Sequence, residues 1–243
     1  SDNVTDRMLG SAELAGALCD ALGVTPGRTR EDGHVRIAFT SCTGLADQGP
    51  ALLVNHAQVV TRLDASRVAG LTQLIEGDAP VASWPAEWLR VEPGVRRAVA
   101  LLATPPARGA ALDAALARGG DGLFAELEAG GLRGRGGAGF PVVAKWRHCR
   151  AAAAPASAIV CNADEGEPGT FKDRVLLQLH GAEVIDGMTI AAWGVGAAHG
   201  FLYLRGEYPF LRAPLEAELA QRRRDGLLGP GLAGRAGVAF DIE

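Results

Sequence analysis

Leu14, Leu18 and Leu22 recur every four residues with alanines between them, so SAELAGALCDALGV predicts a helix with one apolar face. The alternating run VRIAFT predicts a strand. ALLVN and QVVTRL predict two more, joined as a hairpin about His56 and Ala57. ASRVAGLTQLIE then reads as a helix capped by Asp64 and stopped by Gly77. Helix, strand, hairpin and helix make a compact α/β unit over residues 1–77.

The periodicity then lapses. Residues 78–106 hold Trp84 and Trp88 among prolines without a clean repeat, which predicts a linker. Short helices follow ATPPARGA and run into a glycine-rich loop. Beyond it the pattern is regular: Pro141 opens a helix through Lys145, Trp146 and Arg150, and Ser157–Cys161 is an apolar strand. An apolar helix over 183–197, a strand over 199–204, an amphipathic helix over 207–224 and a strand over 237–242 complete it. Such alternation predicts βαβ units and a mainly parallel sheet over residues 107–243.

Composition narrows the function classes. With 48% hydrophobic and 21% charged residues, the 243-residue chain reads as globular. A net charge of −4 and scattered arginines argue against nucleic-acid binding. No apolar run approaches the ~18 residues of a membrane span. SDNVTDRML is too polar for a signal peptide, and Ser1 reads as an internal starting point. Cys19, Cys42, Cys149 and Cys161 lack a C-x-x-C pair, so they read as small hydrophobes in a cytoplasmic protein. Of 24 basic residues only Lys145 and Lys172 are lysine. Both lie within the most unusual stretch of the chain, and an ammonium kept there hints at a specific task.

That stretch has two parts. In GLRGRGGAGF, residues 131–140, glycines bare backbone N–H groups where side chains would block an anion or a flat ring. Gly134, Gly136 and Gly139 satisfy G-x-G-x-x-G, but the dinucleotide fingerprint needs a strand before it, and here the helical FAELEAGGL precedes. Close approach of backbone to a cofactor is the favoured reading, with tight turns alone as the alternative. Arg133 and Arg135 are candidate anion partners. In CNADEGEPGTFKDR, Asp164, Glu165 and Glu167 crowd the C-terminal end of a strand, a place where folds hold ligands. Their spacing does not suit Mg²⁺ or Ca²⁺, and hydrogen bonding to a polyol or a ring N–H suits them better. A solvated acidic loop is the other reading. The five histidines lie apart, and we assign no catalytic side chain and no metal ligand.

GLRGRGGAGF, the Lys145–Trp146 pair and CNADEGEPGTFKDR together resemble the FMN- and NAD(H)-binding subunit shared by respiratory complex I and its soluble relatives. Those relatives are the diaphorase subunits of NAD-reducing hydrogenases and NAD-dependent formate dehydrogenases. The resemblance continues through GMTIAAWGVGAAHGFLYLRGEYPFL to DGLLG, about residues 131–243. SCTGLADQGPALLVNHAQVVTRL resembles part of the thioredoxin-like module fused ahead of the flavin domain in soluble members. The implied fold is a partial thioredoxin-like module followed by the first half of a Rossmann-like FMN-binding domain.

The resemblance implies that Gly134, Arg135, Gly136 and Gly137 wrap FMN with Lys145 close by. It places Asn162, Asp164 and Glu165 on the ribityl chain or ring edge, and Phe140 and Glu167 on the nicotinamide nucleotide, NAD(H). It implies hydride transfer between NAD(H) and FMN, with electrons exchanged with iron–sulfur clusters. The implied partners are an iron–sulfur diaphorase small subunit and hydrogenase subunits, or alternatively formate dehydrogenase subunits; a non-catalytic assembly chain is the third reading. Of the module's four cluster cysteines only Cys42 aligns, the others falling at Ser1, Asp6 and Ala46, so no [2Fe–2S] cluster is expected. Val142–Val143 replaces the usual Thr-Gly. The family's next glycine-rich segment and its [4Fe–4S] cysteines lie beyond Glu243, so the chain reads as half of a cofactor site, completed by further sequence or by a companion chain.

Overall fold

The computed structural model describes residues 1–99, 103–152, 156–232 and 239–243. They divide into two compact units. The first comprises Ser1–Gly94, Asp164–Val175 and Arg205–Phe210; the second comprises Val95–Ala163, Leu176–Leu204 and Leu211–Glu243.

In the first unit, α1 (Val4–Met8) and α2 (Ser11–Leu22) precede the antiparallel pair β1 (Leu52–Val54) and β2 (Gln58–Val60), with Leu53 opposite Val59. Asn55 and His56 turn the hairpin with positive φ. α3 (Ala65–Glu76) starts where Asp64 accepts a hydrogen bond from Arg67 N at 2.9 Å, and Gly77 caps its end. Leu18 and Leu22 of α2 meet Val68 and Leu71 of α3 and Val60 of β2 in one core. Part of the stretch expected as a linker belongs here: Trp84 is buried in that core, donates to Ala79 O, and is followed by the short α4 (Ala86–Leu89).

The expected strand VRIAFT does not form. Val35 and Ile37 do turn toward the core, as the alternation requires. Their carbonyls accept from the turn amides Arg30 N and Gly27 N, and Thr40 O accepts from Asp2 N. The segment's backbone is satisfied by loops, so only the isolated bridge Thr29–Arg36 appears.

The second unit is α/β. α5 (Ala110–Ala129) bends at Gly119, whose φ of 73° breaks the helix. α6 (Val142–Ala151), β3 (Ala158–Ala163), α7 (Lys172–Val195), β4 (His199–Leu204), α8 (Pro209–Arg224), β5 (Gly229–Pro230) and β6 (Ala239–Ile242) follow. The sheet order is β3-β4-β6-β5, with β3, β4 and β6 parallel and β5 antiparallel. α7 begins at Lys172, earlier than the expected Glu183, and is kinked at His180, whose dihedrals are not helical; the apolar period readable in the sequence restarts after that kink. Ile185, Met188 and Ala192 of α7 and Leu219 of α8 pack with Phe240 and Ile242 of β6. Residues 237 and 238 of the expected last strand lie outside the described residues.

The pairing of β3 with β4 sets where their loops emerge. Ala163 of β3 stands opposite Leu204 of β4, so the chain leaves both strands side by side at their C-terminal ends.

Candidate functional site

The glycine loop joins α5 to α6. Gly134 N donates to Phe140 O at 2.9 Å and Val142 N to Leu132 O at 3.0 Å, closing a small antiparallel neck at Arg133–Pro141. Arg133 Nη1 braces it through Gly139 O at 3.0 Å. The tip beyond the neck is open. A Cβ placed on Gly136, Gly137 or Gly139 would meet nothing within 4 Å. Among the described residues, no backbone acceptor engages the Gly136 or Gly137 amide. Gly137 and Gly139 need glycine for their positive φ, but Gly136 does not. Arg135 and Phe140 are exposed, Phe140 at 53%. Lys145 is exposed in the first turns of α6, where buried Val143 sets the loop's exit. The tip therefore offers bare amides and a cation to an anionic ligand, a cradle that fits the phosphate and ring of FMN.

Asn162 is exposed near the end of β3, and Asp164 begins the acidic turn, which belongs to the first unit. A Cβ on Gly166 would stand 2.9 Å from Asp164 Oδ2, so a side chain there would have to displace the Asp164 carboxylate. Glu167 is exposed, and its carbonyl accepts from Thr170 N and Thr170 Oγ1.

Glu165, expected on the ribityl chain or ring edge of the flavin, is held inside the turn. Its side chain is 1% exposed. Its carboxylate accepts from Asp173 N at 2.8 Å and Arg174 N at 3.1 Å, first-turn amides of α7 that the helix itself supplies with no acceptor. Tyr208 Oη donates to it at 2.8 Å. Burial, and then that bond to a carboxylate, push the Tyr208 phenol well above the ordinary tyrosine range, so it stays a donor. These bonds make Glu165 the residue that shapes the turn.

Sequence reasoning missed the residues around it. Arg205 Nη1 donates to Glu165 O, Nη2 to Cys42 O at 2.7 Å, and Nε to Glu207 at 3.0 Å. Arg174, fully buried, donates to Asp47 Oδ2 at 2.6 Å and Glu92 O at 2.9 Å. The partners at Cys42 and Glu92 lie 163 and 82 positions away in sequence, too far for any local pattern to signal. A faint hint existed in RGEYP, a charged run at a strand end like the acidic turn itself.

Comparison with known proteins accounts for both halves. Residues 127–242 match the family described as the Nuo51 FMN-binding domain. This part of the chain belongs to that family. Residues 1–76 match the thioredoxin-like [2Fe-2S] ferredoxin family, so a thioredoxin-like domain precedes the Nuo51 domain. The chain is 39% identical over 254 residues to the NAD-reducing hydrogenase HoxS subunit alpha of Cupriavidus necator, covering 100% of this chain and 42% of that one. It is 42% identical over 112 residues to an NADH-quinone oxidoreductase subunit of Rhizobium meliloti, covering 46% of this chain and 26% of that one. A crystal structure of an air-oxidised NAD+-reducing [NiFe]-hydrogenase superposes with a TM-score of 0.86 at 40% identity, over 100% of this chain and 41% of the other. The chain thus spans about two fifths of the hydrogenase chains it resembles along its whole length.

The residues present do not fit the cluster that the thioredoxin-like family is named for. Such a cluster takes four thiolates, and residues 1–76 hold only Cys19 and Cys42. Cys42 Sγ instead receives Gly44 N at 3.3 Å, Gly169 N at 3.4 Å and Asn3 Nδ2 at 3.6 Å. Asp6, where the resemblance would put one of the other cysteines, is fully buried and accepts a hydrogen bond from Asn3 Nδ2 at 3.0 Å. Among the described residues no group of three or more His, Cys, Asp or Glu could hold a metal. No helix among them is long and apolar enough to cross a membrane.

Proposed function

We propose that this chain is the FMN- and NAD(H)-binding part of a diaphorase in an NAD-reducing hydrogenase. The observation that carries the reading is the open glycine tip. Its amides engage no backbone acceptor among the described residues, and its shape suits a phosphate-bearing flat ligand. FMN, when bound, supplies the chemistry: it takes a hydride from NADH and returns electrons one at a time. The chain supplies placement. Gly134, Arg135, Gly136, Gly137 and Lys145 hold the flavin. Asn162 and Asp164 accept hydrogen bonds from its ribityl chain or ring edge, while Phe140 and Glu167 receive the nicotinamide nucleotide. Glu165 enters as the residue that fixes the turn carrying Asp164 and Glu167. No side chain of this chain is assigned as a general base, since hydride transfer between a nicotinamide and a flavin would require none.

The end-to-end similarity to hydrogenase chains favours a hydrogenase over a formate dehydrogenase. It also supports an iron–sulfur diaphorase small subunit and hydrogenase subunits as partners, with any [4Fe–4S] cluster lying outside these residues. The test is Glu167→Gln in the assembled enzyme. The expected result is a KM for NADH raised about tenfold with flavin content unchanged, the loss of one charge-assisted contact. Equal loss of flavin and NADH use would count against the role of Glu167. A complex without flavin would favour the non-catalytic assembly reading.

A further inference from the structure

The segment 42–47 would carry two of the four cluster cysteines, at Cys42 and Ala46, if the thioredoxin-like module had kept them. Here the same segment grips the acidic turn directly at two points, Gly169 and Arg174, and through Arg205 and Tyr208 at two more. Cys42 Sγ receives Gly169 N, and Cys42 O receives Arg205. Asp47 pairs with the buried Arg174, and Tyr208 Oη lies 3.4 Å from Gly44 O while donating to Glu165. Gly44 is indispensable to this fit: its φ is +73°, and a Cβ there would overlap the Tyr208 phenol.

The grip has something to hold. Glu165 sits at φ 45°, a left-handed conformation that a non-glycine residue keeps only where its surroundings over-determine it. Both of its carboxylate oxygens, its carbonyl and the first amides of α7 are engaged by this network. Glu167, two residues on, contributes no side-chain contact to it and stays exposed.

We propose that the thioredoxin-like module serves as a clamp for the acidic turn, and that Tyr208, Arg174 and Asp47 are positioning residues for the nicotinamide nucleotide at Glu167. The proposal rests on the functional reading above. It gives a module without its cluster ligands a task in substrate placement: the former cluster loop fixes the backbone on which Asp164 and Glu167 stand. The proposed flavin contacts at Gly134, Arg135, Gly136, Gly137, Lys145 and Asn162 take no part in this network, so loosening the clamp disturbs one flavin contact, Asp164, and leaves the rest to retain the flavin, while the nucleotide loses the placement of Glu167.

The test uses Tyr208→Phe and Asp47→Asn in the assembled enzyme, with NADH oxidation followed by a one-electron dye and flavin counted per chain. The expected result is a KM for NADH raised about tenfold in each variant, with kcat within about twofold of wild type and flavin content unchanged. Asp47→Glu, which keeps the charge opposite Arg174, is expected to bring KM back toward the wild-type value. An unchanged KM in either folded variant overturns the proposal, as does a parallel fall in flavin content and kcat, the mark of general unfolding. If Tyr208→Phe does not assemble, Asp47→Asn and Asp47→Glu read the same clamp from the module's side. A wild-type complex without flavin, or one that does not oxidise NADH, overturns the functional reading itself.

Discussion

Gly136 separates what the fold needs from what a ligand needs. Its φ is ordinary and a Cβ there meets nothing, so alanine costs the folded chain nothing and trims the freedom of the unfolded one. Gly136→Ala is expected to leave the unfolding midpoint unchanged or raise stability by up to about 1 kcal/mol, measured by urea denaturation. Tyr208 gives the opposite kind of residue, buried and committed. Its folded-state pKa is raised, so its contribution to stability is complete below the ordinary tyrosine value near 10 and is lost as pH rises above it. Alkaline titration of the folded protein should show the Tyr208 phenolate only as the chain unfolds, and Tyr208→Phe should remove that component. Gly136 was legible in the sequence because a glycine-rich run announces bare backbone. Tyr208 was not, because its partners Gly44 and Glu165 lie 164 and 43 positions away.

Elements were read best where one periodicity and one cap agree. α3 starts at Asp64 and stops at Gly77 as its sequence dictates, since the cap bond to Arg67 N is local. The Ser66 hydroxyl and the Arg67 amide hold the Asp64 carboxyl below its ordinary pKa. The cap's contribution is therefore present above about pH 4 and fades as pH falls through the lowered value. Asp64→Asn should flatten the acid limb of a stability-against-pH curve. VRIAFT shows where the same reasoning stops: alternation tells which side chains face the core, but a strand also needs a partner, and partners are not local. α8 hides its own non-local term. Arg222 occupies a position on its apolar stripe with Leu211, Leu215 and Leu219, fully buried and held by Asp186 Oδ1 at 2.5 Å, Glu218 at 2.8 Å and Ala182 O at 2.8 Å. Asp186→Ala strands part of that charge and should lower stability by about 3–5 kcal/mol in urea unfolding.

At the scale of the whole molecule, the order of two domains was legible because their long motifs are specific. The compact units were not, since Asp164–Val175 and Arg205–Phe210 join the N-terminal residues through buried arginines whose contacts no local motif encodes. The chain matches hydrogenase chains end to end yet spans about two fifths of their length, so its flavin chemistry is to be tested in the assembled protein. The most direct measurement counts FMN released by acid from the purified complex, in wild type and in Gly136→Ala. Stoichiometric FMN is expected in wild type, with a marked loss in the variant at unchanged fold stability. Flavin absent from the wild type, or retained in full when Gly136 carries a methyl group, would contradict the assignment of this loop as the flavin cradle.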